Sequence, residues 1–70
     1  MHHKELISSL QRRREILGVT QSHLADLAGV GLRTVKKIES GKGNPTVDTL
    51  IKLAEVLGME LQLRVKTPLI

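Results

Sequence analysis

Seventy residues leave room for one domain around one small core, which is marginal without disulfides, a bound metal or a second subunit. The absence of cysteine removes the first of these and weakens the second, so oligomerisation is the remaining support. Eleven lysines and arginines stand against seven acids, net +4, a balance suited to a polyanionic partner; the lack of Phe, Tyr and Trp argues against single-stranded nucleic acids, which are held on aromatic platforms. No apolar run approaches the roughly 20 residues of a membrane span and no signal sequence is visible, so a cytoplasmic protein with no membrane association is expected.

The chain opens on a short polar lead, Met1 to Lys4. His2 and His3 carry no chemistry, because two adjacent histidines fall short of a four-ligand site, and neither a metal nor a cofactor is expected. A first helix is predicted from about Lys4 to Leu17, with Leu6, Ile7, Leu10 and Leu17 inward and Gly18 as its stop. Arg12, Arg13 and Arg14 point in three directions on a helix. Arg14 falls on the core side, while Arg12 and Arg13 are left to solvent or phosphate.

Thr20 is a suitable N-cap for a second helix over Gln21 to Ala28, apolar at Leu24, Ala25, Leu27 and Ala28 and ended by Gly29. Val30 points inward. Only Gly29, Val30 and Gly31 then separate it from a third helix, Leu32 to Ser40, anchored by Val35 and Ile38, so residues 20–40 form a helix-turn-helix with a steep exit angle. The other faces of the third helix carry Arg33, Thr34, Lys36 and Lys37. A short helix buried on one side and cationic on another meets the physical requirement for entering a DNA major groove.

Gly41 to Pro45 reads as a mobile-looking loop, and Thr46 caps a fourth helix from Val47 to Leu57. Its polar stripe, Asp48, Lys52 and Glu55, is too narrow for a helix covered on one side only, which calls for a second burial surface on a symmetry mate. Gly58 ends it, as a glycine ends each of the other three. The segment Met59 to Lys66 then alternates, with Leu61, Leu63 and Val65 on one face, and predicts a β-strand. No second strand is readable, so its partner is expected from another copy of the chain, with Ile51 joining Leu61, Leu63 and Val65 at the dimer interface. Pro68 closes the strand, leaving residues 67–70 as a frayed tail. The expected organisation is thus residues 1–58 as the helical domain, 59–66 as the dimerisation strand and 67–70 as the tail.

The run LGVTQSHLADLAGVGLRTVKKIESGK resembles the lambda-repressor-like, or Cro/XRE-type, helix-turn-helix family through Leu17-Gly18, Thr20-Gln21, Leu24-Ala25, Ala28-Gly29-Val30, Thr34-Val35, Ile38-Glu39 and Gly41-Lys42. With the helix after it, this pattern covers about two thirds of the chain. The resemblance implies a mainly α, compact four-helix domain, here with a C-terminal β-strand pairing across a homodimer. It implies an ion pair between Arg14 and Glu39, with a solvated surface arginine as the rival reading. It directs Leu32, Arg33 and Lys37 towards bases, Arg33 being suited to guanine through its planar fork. It makes Gln21, Lys42 and Asn44 phosphate contacts, Gln21 with a base at the groove edge as its other option; Thr34 and Lys36 go to the DNA backbone or to solvent. Two positions depart from the family pattern. His23 stands where a glutamate often completes a capping box, which either removes repulsion from a nearby phosphate or is neutral. Gly31 replaces the usual Ser or Thr cap.

The family often continues into a fifth helix, and a strand in its place resembles the HipB-type subgroup of compact dimeric repressors that neutralise a kinase toxin. The function so implied is a homodimeric, sequence-specific repressor on double-stranded DNA, with a possible toxin kinase as second partner. Two alternatives stay open: a stand-alone or prophage regulator, and a protein-interaction module whose outer face or Leu69-Ile70 tail binds a partner. No catalytic residues are expected, since Ser8, Ser9, Ser22 and Ser40 lack a His and acid constellation and no carboxylate pair is placed in a pocket.

Overall fold

The computed structural model describes residues 3–66; Met1, His2 and the expected tail over 67–70 lie outside the described residues. Four helices are formed among these residues: α1 (His3–Ile16), α2 (Gln21–Ala28), α3 (Leu32–Glu39) and α4 (Val47–Val56). Their ends are set by local chemistry. Thr20 Oγ1 accepts the His23 backbone N–H at 3.0 Å and Thr46 Oγ1 that of Thr49 at 3.1 Å, each satisfying a donor that the first turn leaves free. Gly31 caps α3 with no side-chain hydrogen bond. At the other end of α2 the chain reverses through Gly29 at φ 70°, a left-handed conformation that costs glycine nothing.

α2 packs on both α3 and α4, and α1 packs on α3. Ile7, Leu10, Leu24, Ala25, Val35, Ile38, Leu50, Leu53, Ala54 and Leu57 are buried in one cluster, with Leu6, Val19, Val30, Met59 and Leu61 half-buried around it. No polar or charged residue is fully buried among the described residues, although the Arg14 and Glu39 side chains are largely covered. Burial of these apolar side chains, at about 25 cal/mol per Å² removed from water, drives the assembly. No helix among the described residues is long and apolar enough to cross a membrane.

Two sequence expectations are corrected. Leu17 is not part of the inward face; α1 stops at Ile16, and Leu17, in the turn beyond, is 45 % exposed. Arg13 is not left to solvent: its Nε donates to the Leu57 carbonyl at 2.9 Å, where it satisfies an acceptor at the C-terminal end of α4 and places a cation at the negative end of that helix. Arg13→Ala is expected to cost about 1–2 kcal/mol, read as a lower urea midpoint with an unchanged slope. Within the single chain residues 59–66 form no strand, as expected of a segment whose proposed partner is a second copy. Leu61 rests half-buried against the core, whereas Leu63 and Val65 stand exposed.

Candidate nucleic-acid interface

The geometry of α3 follows from two residues. Val35 and Ile38, 0 % and 4 % exposed, fix which side of the helix meets the core. At 3.6 residues per turn the outward pole opposite them falls on Arg33, flanked by Lys36 and Lys37, with Leu32 and Thr34 at the two edges. All five are exposed. One helix side thus presents three cations in open solvent.

The acid of this helix, Glu39, is withdrawn from that side. Arg14 on α1 clamps it bidentately, Nε to Oε2 at 2.6 Å and Nη2 to Oε1 at 2.9 Å, with the two side chains only 11 % and 6 % exposed. The third nitrogen, Nη1, donates to the Val19 carbonyl at 2.8 Å, so the guanidinium also braces the turn between α1 and α2. The hydrogen bond to Glu39 raises the Arg14 pKa above its ordinary value, outweighing the opposing effect of burial, so the pair keeps its cation throughout the physiological range. Neutralised at the inner end of α3, Glu39 subtracts little from the field of Arg33, Lys36 and Lys37.

Gln21 is drawn into the same network. Its Nε2 donates to Glu39 Oε1 at 2.8 Å, so the first residue of α2 is tied to the last of α3 and one amide hydrogen is committed within the protein. This link was missing from the sequence reading, which assigned Gln21 to DNA alone. Lys42 and Asn44 are exposed on the turn following α3. That turn is tethered by the Gly41 N–H to the Ile38 carbonyl at 3.0 Å, the Lys42 N–H to the Lys37 carbonyl at 3.2 Å and Ser40 Oγ to the same carbonyl at 2.8 Å. Residues 40–42 of the loop are thus folded back against the helix end, which brings Lys42 alongside it.

The residues expected at a dimer interface are placed as follows. Ile51 is 39 % exposed on α4, and Val47, one turn earlier on the same helix face, is 65 % exposed. Together with Leu63 and Val65 they leave large apolar side chains in solvent.

Comparison with known proteins agrees with this architecture. The helix-turn-helix family model HTH_3 matches residues 10–63, which takes in the end of α1, the motif and α4. The chain is 44 % identical over 66 residues to an uncharacterized HTH-type transcriptional regulator of Haemophilus influenzae, covering 90 % of this chain and 63 % of that protein. It is 38 % identical over 52 residues to the cryptic phage CTXphi transcriptional repressor RstR of Vibrio cholerae, covering 74 % of this chain and 46 % of the relative. A further HTH-type transcriptional regulator, y4dJ of Sinorhizobium fredii, is 36 % identical over 52 residues, 74 % of this chain and 68 % of its own length. The chain spans about half to two thirds of the first two relatives. With its motif, its helix order and the family model in agreement over most of its length, the chain belongs to the Cro/XRE-type helix-turn-helix family.

Proposed function

We propose that the chain is a sequence-specific, double-stranded DNA-binding transcriptional repressor that acts as a homodimer on a palindromic operator. The observation that carries this reading is the outward side of α3, where Arg33, Lys36 and Lys37 stand exposed while Glu39 is folded away onto Arg14. The names of its relatives, transcriptional repressor and transcriptional regulators, support it. In this reading Arg33 takes guanine O6 and N7, Lys37 an adjacent acceptor and Leu32 a thymine methyl. Lys36, Thr34, Lys42, Asn44 and the free amide hydrogen of Gln21 meet phosphates and fix the register. Dimerisation through Ile51, Leu61, Leu63 and Val65, with 59–66 pairing as a two-stranded ribbon, sets two α3 helices roughly 34 Å apart.

Selection of bound duplexes from a random pool tests all of this together, since the recovered motif reports sequence, symmetry and half-site spacing. Scrambled duplex competing as well as the selected palindrome at physiological salt would sink the reading. Within the selected site, Arg33→Ala is expected to lose about 1–3 kcal/mol of discrimination at one base pair. Lys36→Ala should instead weaken all duplexes alike and reduce the log-log salt slope by about 1.

For the finer assignment, the similarity to RstR favours a phage-type regulator, and the alternating C-terminal segment favours a HipB-like antitoxin. A kinase toxin encoded next to this chain and binding its product selects the antitoxin; no such neighbour selects the regulator.

A further inference from the structure

We infer that Gly43 is a positioning residue for DNA recognition: by having no side chain it provides a backbone platform on which the stem of Lys37 is laid before any DNA arrives. The inference rests on the DNA-binding reading above. A Cβ placed on Gly43 would lie 2.9 Å from Lys37 Cε, 3.5 Å from Cδ and 3.6 Å from Nζ, so the outer half of the lysine side chain already occupies the space beside this residue. Two hydrogen bonds to the Lys37 carbonyl, from Ser40 Oγ and from the Lys42 N–H, turn the chain back beneath the side chain they would otherwise leave behind. Gly43 sits at φ +77°, and the place its Cβ would take is filled by the Lys37 methylenes.

A lysine on a free stem loses its rotamer freedom when it docks; one already laid across a surface has lost part of it beforehand, so more of the contact energy appears as affinity. Lys36, its neighbour on α3, is likewise exposed and serves as the internal control. The platform therefore separates two lysines that are alike in sequence. Lys37 is held in a defined direction at the end of α3, which suits selective recognition, and Lys36 supplies charge.

The full chain tests this in two measurements. In the free protein, ¹³C relaxation of the lysine ε-methylenes is expected to show Lys37 more ordered than Lys36, and Gly43→Ala to bring Lys37 down to the mobility of Lys36. On the selected duplex, Gly43→Ala is expected to weaken binding by about 3- to 10-fold when Lys37 is present, and to have no further effect in the Lys37→Ala background. Backbone strain at this left-handed position would lower thermal stability in both backgrounds, so the cycle separates it from positioning. Equal mobility of the two lysines in the wild type, or the same loss of affinity with and without Lys37, overturns the inference. Its failure differs from failure of the DNA reading: in the first case the wild type still selects a palindrome, in the second it selects none.

Discussion

Arg14→Ala is expected to destabilise the domain by about 3–5 kcal/mol, the range for removing one member of a buried ion pair. The side chain makes three hydrogen bonds, two to Glu39 and one to the Val19 carbonyl, and both partners of the pair are almost wholly covered. Truncation therefore leaves a carboxylate enclosed by protein with Gln21 as its remaining partner, and strands a carbonyl in the turn before α2. The cost is dominated by the orphaned acid and not by the lost attraction. Replacing both members, Arg14→Met with Glu39→Leu, should recover most of the stability, because no charge is then left inside. Urea titrations of the two variants measure the contrast, and a loss under about 1 kcal/mol for Arg14→Ala would show that water reaches the pair freely. Since a domain of this size has only a few kcal/mol in reserve, the single variant is expected to populate unfolded chains even in buffer.

Leu24→Ala has the second large effect, about 3–5 kcal/mol, as expected for a leucine removed from a rigid interior. Leu24 is 2 % exposed on α2, the helix that packs against both α3 and α4, so the cavity opens where several elements meet and cannot collapse by moving one of them. Leu27, one turn further along the same helix, is 57 % exposed and provides the control. Leu27→Ala keeps the helix propensity change and removes the cavity, and should cost under about 1 kcal/mol. Similar midpoints for the two variants would mean that α2 is not docked as described.

Features decided within a few residues were legible in the sequence. The limits of α2 follow from Thr20 and Gly29, and the buried side of α3 from Val35 and Ile38, because capping and helical phase act over a turn or two. Arg14 could be aimed at the core from its phase alone, but its partner, 25 positions away, became visible only through the family resemblance. Arg13 was misassigned because its acceptor is a backbone carbonyl 44 residues on, and backbone groups leave no trace in residue type. Leu17 continued an apolar rhythm past the point where the helix stops, since periodicity reports phase and not length. Gln21 was legible as a polar residue at a helix start, yet its bond to Glu39 depends on how α2 crosses α3. Alternation over 59–66 speaks of faces and not of pairing, which requires another strand.

The interior described above is built from Ile, Leu, Val and Ala side chains, with no benzene or indole ring among them. Such an interior is optically silent: near-ultraviolet dichroism and intrinsic fluorescence have no reporter in it. Its methyl protons also lack the ring currents that usually spread their resonances upfield. Narrow methyl dispersion in an NMR spectrum of this protein would therefore be no sign of loose packing; slow amide exchange at Leu24, Val35 and Leu53 is the appropriate gauge of its solidity.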